Sequence, residues 1–261
     1  MRRRALREIE LLRLRGDARA RSNDNAVEER PVAFEYNGIA HAVMMATPVD
    51  LDDFAVGFSL SEGIVARASE LDIIAVREQA QGTVIEMALD DARFEALQSR
   101  RSSRFGNSAC GLCGSESLAS VLRPAPSVPS TQTVTPADIT AASARLAGLQ
   151  PLNQLSGGVH AAAWVGPSGM LVREDVGRHN ALDKLIGARA RSAIESGFLL
   201  LSSRASYELV HKAAVAQIEI LVAISAPTAM AIRLADSTGI TLVAFARGEQ
   251  MNVYAHAGRV G

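Results

Sequence analysis

GFLLLSS (197–203), SYELVHKAAVAQ (206–217), IEILVAIS (218–225), TAMAIRLADSTG (228–239) and ITLVAFA (240–246) follow one another in the last third of the chain. Short, continuously apolar runs alternate here with segments of helical periodicity. A strand that is apolar at every position, rather than every second one, is covered on both faces, as in a parallel sheet with helices above and below. The pattern therefore predicts a βαβαβ unit. Ligands of such units bind beyond the carboxyl ends of the strands, which here are Ser202–Ser206, Ser225–Thr228 and Ala246–Gln250. Two of these loops also open helices, whose free N–H groups and positive dipole ends favour anions. The loops predict an anionic, nucleotide-like ligand, against the plainer reading that they are only capped helix starts.

Working outward, Thr135-Pro136-Ala137-Asp138 reads as an N-cap, a proline at the first helical position and an acid in the first turn, opening a helix through about Leu149. The preceding RPAPSVPSTQTVTP (123–136) carries four prolines and no apolar periodicity, as expected of a linker or mobile connection. A boundary there divides residues 31–134 from 135–261. In the first region, VAFEY and HAVMMA flank the hairpin pair Asn37-Gly38, and DLDDFAVGFSLSEG (50–63) has helical spacing up to Gly63. LDIIAVREQ and TVIEMAL suggest a second strand pair around Gln81-Gly82, with a helix from near Asp90, so this region is α+β. Residues 1–30 form a polar basic arm, expected to be a solvated tail or short helix. Arg13 and Arg15 interrupt its leucines, so no export signal is expected.

The chain has 261 residues, with 27 Lys+Arg against 28 Asp+Glu. That balance argues against nucleic acid as a partner, because a phosphate-reading protein carries a basic domain or stripe. The longest apolar stretch, ILVAISAPTAMAI (220–232), is broken by Ser225, Pro227 and Thr228 and falls short of the ~18 residues of a membrane span, so no membrane association is expected. Two cysteines exclude a disulfide scaffold and a four-thiolate zinc site.

Both cysteines lie in Cys110-Gly111-Leu112-Cys113-Gly114, where the glycines leave the thiols open to a large partner. Arg100, Arg101 and Arg104 lie just upstream, and nearby cations favour the nucleophilic thiolate. Zinc would need two further ligands, and His41, His160, His179, His211 and His256 are scattered. Base-deaminase chemistry is unsupported as well, because no Pro precedes Cys110 and no acid follows His160 in an H-x-E pattern. A sulfur carrier and a redox dithiol remain equal on spacing alone. In EDVGRHNALDK (174–184), a helix beginning near Glu174 would set Asp175, His179 and Asp183 at i, i+4 and i+8 along one titratable stripe, for which a salt-bridged surface helix is the plainer explanation. Gly157-Gly158-Val159-His160 reads as a strand-edge turn and Trp164 as a core aromatic.

Taken together, CGLCG (110–114), GGVHAAAW (157–164), EDVGRHNALDK, SSRASYE (202–208), ISAPT (224–228) and TLVAFARGEQMNVY (241–254) resemble the formate dehydrogenase accessory sulfur-carrier family (FdhD-type), in order, from about Pro31 to His256. The resemblance implies a cytidine-deaminase-like three-layer α/β/α domain with a smaller N-terminal α+β part, in a cytoplasmic homodimer. It implies a sulfurtransferase that takes persulfide sulfur from a cysteine desulfurase. The sulfur would pass to the molybdenum bis(molybdopterin guanine dinucleotide) cofactor of formate dehydrogenase, for which a guanine nucleotide would be a surrogate ligand. By position the persulfide falls on Cys110, with Cys113 as companion, and the cofactor-binding stretch on Phe245, Ala246, Arg247, Gly248, Glu249 and Gln250. Arg204, Ser206 and Thr228 on the other strand-end loops complete the expected site. A chaperone that delivers the cofactor without transferring sulfur, and a thiol-disulfide oxidoreductase, are the alternatives. Gln217-Ile218-Glu219 departs from the Gly-Ile-Pro of many members, and Arg247-Gly248-Glu249-Gln250 is not the commonest form of the loop.

Overall fold

A computed structural model describes residues 5–102, 124–192 and 196–261. The basic arm is not a tail or helix but an antiparallel hairpin of β1 (Leu6–Arg15) and β2 (Ala18–Val27), turning at Gly16 (φ 60°). Its charges alternate across the two strands and pair, Arg21 with Glu10 at 2.8 Å and Arg13 with Asp24 at 3.3 Å. At its base Leu6 faces Val27, and both pack against Val49, Leu152 and Val159.

β3 (Arg30–Tyr36) and β4 (Ile39–Ala46) form the predicted hairpin, with Asn37 and Gly38 at φ 49° and 78°. α1 (Leu51–Ser61), β5 (Asp72–Gln79), β6 (Gly82–Ala88) and α2 (Asp91–Ser102) follow, and the sheet order is β4-β3-β6-β5. α1 covers one face, where Phe34 meets Phe54 edge-on at 5.0 Å and stacks on Phe58 at 4.3 Å.

The C-terminal part begins with α3 (Pro136–Leu146), capped reciprocally by Thr135 and Asp138. A single 3₁₀ turn, not further α-helix, continues it to Leu149. After α4 (Pro151–Ser156), β7 (His160–Gly166) and β8 (Gly169–Asp175) pair antiparallel. Then come α5 (Arg178–Ala190), β9 (Phe198–Leu201), α6 (Tyr207–Val215), β10 (Ile220–Ala223), α7 (Ala229–Thr238), β11 (Thr241–Arg247) and β12 (Gln250–Ala255). The order β12-β11-β10-β9-β7-β8 has β9, β10 and β11 parallel at its centre, which is the predicted βαβαβ unit. The continuous apolar runs are explained by the two faces: Leu199, Leu201, Leu221 and Leu242 meet α5, α6 and α7, while Phe198, Leu200, Ile220 and Val243 meet α3. The result is a three-layer α/β/α domain with a smaller N-terminal α+β part. Among the described residues no helix is long and apolar enough to cross a membrane.

The proline-rich segment, expected to be a linker or a mobile connection, is in its described part, from Pro124, strapped to the C-terminal domain. Val128 N donates to Thr238 O at 2.9 Å, and Val134 forms a bridge with Val260. The strap's main clamp is Glu219, one of the departures from the family pattern. Its carboxylate accepts from Thr131 N (2.7 Å), Thr131 Oγ1 (2.6 Å) and Gln132 N (2.9 Å). Burial opposes its charge, yet these donors and Arg259 outweigh it and hold the carboxyl below its usual range. A depressed folded-state pKa stabilises above the unfolded value of about 4.3, and that contribution is lost as pH falls through the folded value. Glu219→Gln should therefore cost about 1–2 kcal/mol in urea unfolding at pH 7. The gap to wild type should narrow progressively when the urea unfolding is repeated at pH values falling below about 4.3. At the neighbouring departure, Gln217 has φ 54°, the backbone region where a glycine is unstrained.

The two parts meet where α1 crosses α5. A Cβ added at Gly57 would overlap the carbonyl oxygen of Asp183, and one at Gly187 would overlap that of Asp53. The crossing is flanked by ionic ties, with Arg173 Nε 2.8 Å and Arg191 Nη1 2.9 Å from the Asp53 carboxylate.

Candidate functional site

The sheet pairing brings the three strand-end loops together. Ala205 and Pro227 form a parallel bridge, with Ala205 N donating to Ala226 O (3.1 Å) and Thr228 N to Ala205 O (3.0 Å). The third loop is drawn in by Phe245 N, 3.2 Å from Ser225 O, and by Arg247 Nε, 3.1 Å from Ile224 O. Arg204, Ser206, Thr228 and the Phe245–Gln250 stretch thus line one edge of the domain.

Their exposures and partners differ. Thr228 Oγ1 accepts from Ala231 N at 3.2 Å, so its hydroxyl caps α7. Ser206 stands at the N-cap position of α6 but its side chain makes no cap. Arg204 is exposed. Phe245 has φ 55°, a left-handed conformation costly for a bulky residue, and its ring is 41% exposed. The β11 to β12 pairing is irregular between Ala244 and Arg247, and this bulge aims the ring out of the sheet. Ala246 is buried, Gly248 makes the turn at φ 57°, and Glu249 and Gln250 are exposed. A flat apolar ring on the same edge as Arg204, Arg247 and an uncapped helix start suits an anionic ligand with a planar base.

The EDVGRHNALDK segment differs from its expectation. β8 runs to Asp175 and α5 starts only at Arg178, so Asp175 ends a strand and lies on no helical stripe. α5 is not a surface helix either. It lies between the large sheet and α1, which buries Asp183 and Lys184. Asp175 is fully buried and accepts from Lys184 Nζ (2.6 Å), Gly177 N (2.8 Å), Thr47 N (3.0 Å) and Asn180 Nδ2 (3.0 Å). Asp183 accepts from Ser61 Oγ (2.6 Å) and, through both oxygens, from Lys212 Nζ (2.9 Å each). Burial works against the Lys212 charge, but Asp183 and Glu62 outweigh it and raise its pKa. Both aspartates are structural in this geometry.

His179 is the member of the segment that reaches the strand ends. Its Nε2 lies 2.9 Å from Glu208 Oε2 on α6, close but without hydrogen-bond geometry. Glu208 is held below the usual carboxylate range, chiefly by His179, with burial opposing and Arg178 and Ser206 assisting. His160 opens β7 opposite Asp175, and Ala161 N donates to Ser202 Oγ at 2.8 Å, which seats the imidazole beside the Ser202–Ser206 loop. Burial and then Arg178, His179 and Arg204 hold His160 below its usual range. The adjacency of His160 and Glu208 to the loops was not anticipated from the sequence. The signal available was only that each sits at the first residue of a strand or in the first turn of a helix. Trp164 is the expected core aromatic, with Arg189 stacked on its ring at 4.2 Å. Among the described residues no cluster of three or more His, Cys, Asp or Glu is arranged to hold a metal. Cys110 and Cys113 lie outside the described residues, as do Arg104 and the side chains of Arg100 and Arg101.

A solved structure from Desulfotalea psychrophila, described as a candidate formate dehydrogenase accessory protein, superposes with a TM-score of 0.76 over 98% of this chain and 100% of that one, at 23% identity. It establishes the fold. A sulfur carrier protein FdhD of Xanthomonas campestris pv. campestris (strain B100) is 50% identical over 95% of this chain and 90% of its own length. The protein of the same name from Bordetella petrii is 47% identical over 96% and 92%. A protein-family model for the FdhD/NarQ family matches residues 27–261, from the base of the hairpin to the last residue, and with relatives this similar along nearly the whole length, the chain belongs to the FdhD/NarQ family.

Proposed function

We propose that this chain is a sulfur carrier for formate dehydrogenase, acting as a sulfurtransferase in the cytoplasm as a homodimer. Its relatives carry the name sulfur carrier protein. In the first step the Cys110 thiolate attacks the outer sulfur of a cysteine desulfurase persulfide. A sulfur–sulfur bond forms on Cys110 as the one on the desulfurase breaks, and the desulfurase leaves as thiolate, with no net oxidation. Cys113 serves as the companion thiol for exchange. The receiving substrate is the molybdenum bis(molybdopterin guanine dinucleotide) cofactor, held over the strand ends as cargo.

The observation that carries the cofactor half of this reading is the strand-end edge. An exposed ring in a strained backbone, two arginines and an uncapped helix start converge there. Phe245 supplies a platform for a guanine, Arg204 and Arg247 supply charge, and the start of α6 supplies N–H groups.

Mixing the protein with a cysteine desulfurase and L-cysteine should add sulfur to the intact chain, read by mass spectrometry. Cys110→Ala should lower that yield at least about tenfold, as expected when the attacking thiolate is removed. An unaltered yield in Cys110→Ala would sink the carrier assignment. Undiminished formate dehydrogenase activity with Cys110→Ala, alongside a loss with Arg247→Ala, would favour a cofactor chaperone. A stable Cys110–Cys113 disulfide with no sulfur uptake would favour a thiol-disulfide oxidoreductase.

A further inference from the structure

We propose that the cleft between the two parts of the chain, at the C-terminal end of α5, binds an aliphatic monocarboxylate, with the carboxylate on Arg189 and the alkyl chain along apolar walls. The cleft is separate from the strand-end edge and does not depend on how that edge is read.

Both parts of the chain build it. Ile64 and Val65, which follow α1, and Leu97 of α2 form one wall, and Ile186 and Arg189 of α5 with Val215 of α6 form the other. α5 opens at the strand-end edge with Arg178 and His179. At 1.5 Å per residue, Arg189 lies roughly 16 Å farther along the helix axis than Arg178. The cleft encloses about 860 Å³. Small-ligand sites are of this size, mostly apolar with a few placed polar groups.

The charge in the cleft is unbalanced. Among the described residues three arginines and no carboxylate line it. Two of the three are answered nearby, because Arg67 and Arg93 share the Glu70 carboxylate, at 3.0 and 2.8 Å, and Arg93 also pairs with Asp90. Arg189 is not answered. Its guanidinium stacks on Trp164 and makes one hydrogen bond, from Nη1 to Ala216 O at 3.0 Å, while its Nε is shielded from solvent without an acceptor. Burial lowers the Arg189 pKa and no carboxylate opposes that shift. A cation withdrawn from water without a counter-ion is costly, and a carboxylate entering the cleft supplies one.

The walls also say what should be attached to that carboxylate. Their other polar side chains are engaged within the chain: Ser192 Oγ donates to Ala188 O at 2.8 Å, and Gln217 Nε2 donates to Ala214 O at 3.0 Å. A peptide would bring amide groups that these side chains leave unpaired, whereas an alkyl chain brings none and gains from burial.

Trp164 is the single tryptophan of the chain and carries the Arg189 guanidinium on its ring, so its fluorescence reports on the cleft. Octanoate titrated into the full-length protein should change the Trp164 emission. By calorimetry it should bind at least about tenfold more tightly than acetate, which lacks the chain, and than 1-octanol, which lacks the charge. Arg189→Met should weaken octanoate about tenfold and leave 1-octanol unchanged. Because Arg189 also packs on Trp164, a second variant is needed. Ala96→Glu, at an exposed position of α2 on the cleft wall, sets a resident carboxylate beside the ligand's and should weaken octanoate several-fold with the urea midpoint unchanged. Octanoate that binds no better than acetate or 1-octanol, or that ignores both substitutions, overturns the proposal. A short apolar peptide with a free C-terminal carboxylate that binds tenfold more tightly than octanoate also overturns it, and makes the cleft a seat for a partner's chain end. Displacement of octanoate by guanosine diphosphate would place the carboxylate at the strand ends instead, again overturning it.

Discussion

Gly57→Val should unfold or render insoluble most of the protein at 37 °C, and Gly187→Val should match it. At the α1 and α5 crossing the two backbones are in direct contact. The added Cβ of residue 57 would lie 2.7 Å from Gly187 N, besides overlapping Asp183 O, and that of residue 187 would lie 2.8 Å from Gly57 N. Overpacking that displaces a flexible side chain costs about 1–3 kcal/mol. Here neither obstacle is a side chain, so one helix must move bodily away from the other. That movement would pull Ser61 from Asp183 and Asp53 from Arg173 and Arg191. A loss of about 4 kcal/mol or more is expected, out of the ~5–15 kcal/mol by which a domain is stable. Gly148→Ala is the control, since nothing lies within 4 Å of a Cβ there, and its unfolding midpoint should be nearly unchanged. If thermal denaturation places Gly57→Val and Gly148→Ala together, the helix crossing is not held by backbone contact.

That crossing also marks what a sequence conceals. The strand periods of β9, β10 and β11 and the cap of α3 were legible because they depend on residues close in the chain. Gly57 was not, because a glycine inside a helix only raises its cost until the partner backbone that requires it is known. The helical expectation for Asp175 fails for a similar reason. The acids before Arg178 fit a first helical turn, and only the pairing of β8 with β7 extends the strand across them. A polar basic arm reads as a solvated tail because its composition shows no partner, whereas pairing β1 with β2 puts its opposite charges side by side. In the site, the strand-end loops followed from topology and the Phe245–Gln250 stretch from family resemblance. The convergence of His160, His179 and Glu208 required knowing that β7 joins the sheet beside β9, a pairing across an intervening strand and helix.

Lys184→Met should be nearly as damaging as the glycine substitutions, and it should reach the site. Lys184 and Asp175 are both fully buried, with Lys184 Nζ also donating to Thr47 O at 2.8 Å. Methionine fills the space but strands the Asp175 carboxylate without its cation. Breaking a buried pair from one side costs about 3–5 kcal/mol. Removing both charges, as Asp175→Asn with Lys184→Met, should recover a measurable part of that loss, because the remaining amide needs no counter-ion. Urea unfolding of the two single variants and the double variant gives the coupling directly. If the double variant is as unstable as the sum of the singles, the pair is not interacting as described. The position of Asp175 extends the consequence beyond stability. It accepts from Thr47 N at the end of β4's hairpin and from Gly177 N at the entrance to α5, so it fixes how the N-terminal part meets the helix start that carries Arg178 and His179. Lys184→Met protein that remains folded at 15 °C should bind guanosine diphosphate more weakly than wild type. Arg247→Ala, which leaves the Lys184–Asp175 pair intact, should weaken the same binding without shifting the urea midpoint. Opposite stability outcomes with a shared binding loss would separate the residues that build the strand-end edge from those that touch what it holds.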